Sequence, residues 1–464
     1  MRKTLLLFLS LIFAVACVFG CSGMSSMAPL PPASAAQMSV SITDAPPAGV
    51  TVLSFEVTVS GASLSPGNVD LLAGKTPPRI EVEKLETDSA FLSTLNISAG
   101  TYTSLSLTFA NPELTFLNNS GATLAGCANG AVCEIKPAGT LSATVNGNFV
   151  VTAGVQSGLL IDLNMASLIS SSLGVDFSTA GAVTATQQTA QAKGELEDLD
   201  DVDGILKSPA SNQFSLQTAD MGTIAVTTDN NTEFGDFEGC PAANFSCLAD
   251  GQSVEVDLML LGTGSFLAKK IELQDSVAEA ADDQLDGVVS KVDSATQFEV
   301  VVVDELRNIA NISLGNPVTV TLQSSPTFEV DENGLQVPSN LAGAFTAAAD
   351  TSQLMPGQTV QVRVRSTSGG PAPAPITVAT DRVRLRTTQF TAIVSGSNFN
   401  VGSLPGIFTA NGVTLIQAQT SSSTNFENTA GASGLADGNT VSLRGLLFVG
   451  TPNPVLILDK VRKR

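Results

Sequence analysis

The chain has no histidine, no tryptophan and one tyrosine, and only 14% of its 464 residues are charged. Without histidine, Ser-His-Asp and Cys-His nucleophile arrangements cannot form, and the imidazole ligand is missing from any metal site. There is no Ser-x-x-Lys pair and no glycine-rich loop closing on Lys-Ser/Thr, so a lysine-activated serine and a phosphate cradle are also excluded. The aromatic complement is almost entirely 22 phenylalanines. These recur in strand-like runs and read as core rather than as stacking platforms. Bases are scarce: 22 Lys and Arg stand against 43 Asp and Glu, a net charge of −21. Such a surface repels phosphate backbones, so no nucleic-acid partner is expected. Beyond Phe19 no apolar run is long enough for a membrane-crossing helix, which needs about 20 residues.

The first 21 residues carry an address. Arg2 and Lys3 precede an apolar run from Leu5 to Phe19, and the run closes on Gly20-Cys21. A basic start, a short apolar core and a small residue before the cut describe a secretory signal. The cysteine after that small residue resembles the bacterial lipoprotein signal, in which Cys21 is lipidated and becomes the new N-terminus. That resemblance implies a membrane partner held through the lipid. Ser22, where proteins kept at the inner membrane carry aspartate, points to the outer membrane, at its periplasmic face or on the cell surface. Ala14-Val15-Ala16-Cys17 forms a second box of the same kind, and a retained anchor is the plainer alternative. Residues 22–37, with Pro29, Pro31 and Pro32, read as a semi-rigid tether reaching up to about 50 Å.

Four further cysteines form two local pairs, Cys127 with Cys133 and Cys240 with Cys247. In an oxidising compartment two disulfides are the natural reading. Asn129-Gly130 sits midway in the first pair and suits a tight hairpin whose strands would carry the two thiols face to face.

Abundant Gly, Ser, Thr, Val and Ala predict an all-β chain. Period-two alternation marks strands at Met38–Thr43, Ser104–Phe109 and Ile161–Met165, with turn clusters between such runs. Short strands at this spacing predict a β-sandwich over residues 38–190, with one or two helical turns at Ser89–Leu95. Val40-Ser41-Ile42-Thr43-Asp44-Ala45-Pro46, Ala99-Gly100-Thr101-Tyr102-Thr103-Ser104-Leu105 and Leu160-Ile161-Asp162-Leu163 resemble a bacterial family of secreted domains, domain of unknown function 4382. The resemblance implies an extracytoplasmic β-domain and no established activity. Asp44 reads as a turn residue and Tyr102 as a packed ring with its hydroxyl at a strand edge.

The second half repeats, and repeats decide architecture. Units over 191–280, 285–386 and 387–464 share Leu-x-x-Gly-x-x-Val, at Leu248–Val254, Leu354–Val360 and Leu435–Val441. The glycine suits a turn into a strand. The units predict about three small OB-like β-barrels, the third divergent, with a short helix inserted near 340–350. The pattern resembles the bacterial repeat named domain of unknown function 5666. Oligosaccharide or nucleic-acid binding by such barrels is fold analogy alone.

The acidic run Glu195–Asp203 is the candidate calcium site, with Asp198, Asp200, Asp201 and Asp203 as oxygen donors. Leu199 breaks the EF-hand spacing, and a solvated linker is the plainer reading. The basic C-terminus, Lys460 to Arg464, reads as the end of the last strand. The expectation is a lipid-anchored envelope protein of non-catalytic binding or scaffold type. Its partner would be an envelope protein or polysaccharide, and no cofactor is required. A calcium-stabilised adhesion module and a carboxylate-based hydrolase are the alternatives.

Overall fold

The computed structural model describes residues 36–45 as backbone, then 50–87, 89–155, 157–189, 195–218, 221–235, 240, 242–261, 265–273, 283–305, 309–332, 334–370, 376–396 and 399–464. The signal, the tether up to residue 35, Cys17 and the lipidation candidate Cys21 lie outside the described residues.

The chain is all-β. Its N-terminal part is two facing sheets. In the first, Ala36–Ala45 lies between Ser157–Asn164, to which it is parallel, and Ala90–Ile97, to which it is antiparallel; Val183–Thr189 adds the outer edge. The second is built on the long antiparallel pair Thr51–Ser65 and Gly100–Leu117, extended by Arg79–Glu81, Val132–Ile135 and Ser142–Val151. Alternate residues of both sheets, such as Phe55, Val57, Leu105 and Phe109 from one and Leu159, Ile161 and Leu163 from the other, fill one core. This is the alternation of half-buried strands. Tyr102 is buried, and its hydroxyl donates to the Ser98 carbonyl at 2.8 Å. Asp44 lies within the first strand, opposite Leu163, rather than in a turn.

Three barrels follow, each closed by the same ring of pairings. In the first, Glu195–Ala210 pairs with Gln213–Gln217 and Ser253–Leu261, Thr223–Thr227 pairs with Gln213–Gln217, and Phe266–Leu273 joins Ser253–Leu261 to Thr223–Thr227 through a short parallel contact. Five strands thus close a small Greek-key barrel of OB type. The second repeats the ring with Asp283–Ser294, Gln297–Glu305, Pro317–Val330, Thr359–Val364 and Ile376–Ser395. The third uses Ile376–Ser395 again, with Asn400–Gly402, Ile416–Gln419, Thr440–Phe448 and Val455–Lys463. One twenty-residue strand therefore serves two barrels: it pairs with Thr359–Val364 as far as Arg386 and with Thr440–Phe448 from Thr387 onward. The insertion in the second barrel contains the helix Ser339–Thr346.

Three further expectations are corrected. Ser89–Leu95 is not helical: Ala90–Ile97 is a strand, because its apolar side chains complete the first sheet against Ala36–Ala45. The helical turn falls earlier, at Glu83–Glu86. The run Glu195–Asp203 is not a linker, since it opens the first barrel as part of Glu195–Ala210. The Cys127–Cys133 disulfide forms, with Cα atoms 5.9 Å apart, but not across a two-residue hairpin. Cys133 stands on a strand opposite Phe116, while Cys127 belongs to the preceding loop, so the bond ties that loop to the sheet. Cys240–Cys247 also forms, with a Cα separation of 5.7 Å.

Candidate functional site

The sandwich touches all three barrels. Phe91 joins the core of the first barrel and meets Phe266 edge-on at 5.0 Å, while Leu53 and Leu117 pack into a cluster with Val301, Met355 and the core of the third. The turn Glu83–Glu86 points its backbone at the barrels. Its carbonyls cannot be satisfied within so short a helix. Gln389 donates to the Glu83 carbonyl at 3.0 Å, and Arg464 donates to the Glu86 carbonyl at 2.8 Å. Glu81 holds the start of the turn by accepting from the amides of Phe55 and Lys84. A further hydrogen bond, from the Thr115 hydroxyl to the Gly315 carbonyl, crosses between sandwich and second barrel.

At this junction lies a cavity of about 730 Å³, lined by residues of the sandwich and of every barrel. That volume falls in the range of small-molecule sites. Its wall is part apolar, from Leu53, Leu85, Phe91, Val288, Leu404 and Phe408, and part ionic.

The ionic part centres on Arg386, which is buried. Its guanidinium pairs with Glu255 of the first barrel and with Asp331 and Asp286 of the second, the last at 3.4 Å. Lys84 of the sandwich pairs with Asp304 of the second barrel. Removing a carboxylate from water disfavours its charge, and neighbouring anions add to the effect. Burial accordingly pushes Asp203 well up from the ordinary carboxylate range, with Arg386 opposing and Asp304 and Asp286 adding to the rise. Asp286 is raised for the same reason. Glu86 is pushed up to about 7 by burial, against the pull of Arg464 and a hydrogen bond from Thr391. Burial works against the Lys84 ammonium, yet Asp304, Asp286 and Asp203 together hold its value above that of ordinary lysine.

Of the sequence-predicted site residues, only Asp203 reaches this cavity in the described structure. Asp198, Asp200 and Asp201 lie on the same strand, and their side chains are outside the described residues. Among the described residues no group of three His, Cys, Asp or Glu side chains stands close enough to hold a metal ion. The basic C-terminus is spent internally. Lys460, almost fully buried, reaches Glu427 at 2.9 Å, Arg462 binds the same carboxylate, and the pair holds Glu427 below its usual range despite burial.

Sequence reasoning did not single out Arg386. Its signal was the alternation Arg382, Arg384, Arg386 against Val383 and Leu385, which puts three guanidiniums on one face of a strand in a base-poor chain. Such a face needs carboxylates opposite it.

Residues 35–178 match the family Domain of unknown function (DUF4382). Residues 203–272, the first barrel, match the family Domain of unknown function (DUF5666). The first match covers the segment that carries its sequence resemblance, and the second covers the first of the three units read as repeats. No curated protein matches the chain. A solved structure described as drosophila Unr CSD456 is similar at 11% identity, over 57% of this chain and 97% of that one, with a TM-score of 0.13. The DUF4382-matching region thus supplies the sandwich side of the cavity, and the DUF5666-matching barrel supplies Asp203 to its wall and Glu255 as a partner of Arg386.

Proposed function

We propose that this chain is a non-catalytic binding protein of the bacterial cell envelope, held to a membrane by a lipid on Cys21, with its ligand received in the junction cavity. The cavity carries the reading: the sandwich and the three barrels meet around one space of ligand size. The compartment rests on the signal and on two disulfides, which suit an oxidising space. An envelope polysaccharide or protein is the expected source of the ligand.

The cavity also gives a specific ground for the hydrolase alternative, because it gathers several acids, one of them raised to about 7. Against it, Asp286 and Asp304 are engaged by Arg386 and Lys84. An acid engaged in this way is positioned for packing rather than for proton transfer to a substrate.

Fractionation of cells expressing the full chain tests the anchor. Cys21→Ser should move the protein from the membrane to the soluble fraction, and unchanged membrane association would refute the lipid. Thermal-shift screening of the full chain against envelope oligosaccharides and small metabolites tests the binding role. At least one compound should raise Tm in proportion to its concentration. Hydrolysis of a screened glycan, lost in Asp286→Asn, would replace binding with catalysis.

A further inference from the structure

Among the ionisable side chains of the cavity wall, acids outnumber bases. Each cation in its wall is engaged by carboxylates: Arg386 by Glu255, Asp331 and Asp286, Lys84 by Asp304, Arg79 by Glu56 and Glu113, and Arg444 by Asp459. Glu81, Glu83, Glu86 and Asp203 line the same space in addition. Glu86 supplies a second, separate observation. It is 2% exposed, and its Oε2 has no hydrogen-bond partner among the described residues, although it belongs to the cavity wall. A buried carboxylate oxygen left without a donor is costly and calls for an explanation.

Resting on the reading of this cavity as a binding site, we propose that it takes an amphipathic organic cation, an ammonium or guanidinium group carried on an apolar body. The cationic end supplies the donors that Glu86 Oε2 lacks. The apolar end meets Leu404, Phe408 and Phe390, and the two phenylalanine rings also favour a nearby cation. A bare metal ion suits this wall poorly. It would need three or more converging oxygens, and it would leave the apolar half of the cavity unused. An anionic ligand would face the carboxylate surplus directly.

Isothermal titration of the full chain, purified in detergent with disulfides intact, tests this with phenylbutylamine. Phenylbutanol, phenylbutyrate and calcium chloride serve as the comparison arms. The amine should bind at least about tenfold more tightly than the alcohol, as a charge-assisted hydrogen bond requires. The carboxylate should not bind. Glu86→Gln should weaken the amine by about tenfold. The amine stays protonated throughout the range between about pH 5.5 and about pH 8. Weaker binding at the acid end therefore reports the protein's own carboxylates. Glu86 is faced there by Glu81, by Arg464 and by the Thr391 hydroxyl, and of these Glu81 is the other carboxylate, also raised by burial. If Glu86→Gln fails to fold, Val288→Phe, which fills the cavity without changing charge, must abolish amine binding. Equal affinity for amine and alcohol, or saturable calcium binding without amine binding, overturns the cation assignment and leaves the cavity a binding site. If no compound of this panel or of the thermal-shift screen binds, both readings fall.

Discussion

Glu56 and Glu86 are buried carboxylates whose folded-state values both lie near 7, Glu56 because burial outweighs its pairing with Arg79. Each therefore holds its proton more tightly when folded than when unfolded. The stability each contributes is fully present below about pH 4.5 and is lost as pH rises through about 7. Glu81, Asp203 and Asp286 are shifted in the same direction, also by burial. Asp381 and Glu427 are shifted down, so their contribution is lost only as pH falls below the ordinary carboxylate range. Urea denaturation should thus show stability declining between about pH 5 and about pH 8. General repulsion in a chain of net charge −21 pushes the same way. Glu56→Gln and Glu86→Gln decide the matter, since each should flatten the decline by up to about 3 kcal/mol. A decline of unchanged steepness in both variants would show that these side chains do not set it. Little of this was legible in the sequence. Lys84 meets Asp304 from 220 residues away, and Arg464 meets the Glu86 carbonyl from 378 away. No local pattern encodes such a meeting.

At the scale of elements the repeat was the most legible feature, because its chemistry is local. Gly251, Gly357 and Gly438 all adopt positive φ, at 88°, 91° and 87°. In each unit the following residue, Gln252, Gln358 or Asn439, accepts through its side-chain oxygen from the amide three residues back, closing the turn. A side chain at positive φ costs about 1–2 kcal/mol. An added Cβ meets open space at Gly251 and Gly438, but at Gly357 it falls 2.2 Å from the Phe408 ring. Gly251→Ala and Gly438→Ala should therefore cost about 1–2 kcal/mol each, and Gly357→Ala at least about 3. Chemical denaturation measures the series, and equal costs at all three positions would refute the packing difference. Phe408 reaches Gly357 from the third barrel, so that contact lies beyond what the repeat alone could show. The same limit explains the misread elements. Ala90–Ile97 takes its form from a distant strand partner, and Cys127 takes its position from an irregular loop rather than from Asn129-Gly130.

For the whole molecule, the consequential feature is the strand Ile376–Ser395, which passes from the second barrel into the third without interruption. The cores are continuous as well: Leu446, Phe448, Val455 and Ile457, on strands of the third barrel, pack with Val300, Val320, Val378 and Leu385 of the second. A barrel that lends a strand and part of its core to its neighbour cannot open alone, so the two should unfold as one cooperative unit. The first barrel closes its own ring and has a separate core. Val378→Ala, at a fully buried site in the second barrel, should cost about 2 kcal/mol. Native-state hydrogen exchange should then report the same loss at Gln297–Glu305 and at Thr440–Phe448. Protection at Gln213–Gln217 should stay unchanged wherever opening is confined to the first barrel. If Thr440–Phe448 kept its wild-type protection in the variant, the barrels would be independent, and the junction cavity would have a hinge between two of its walls instead of one stiff face.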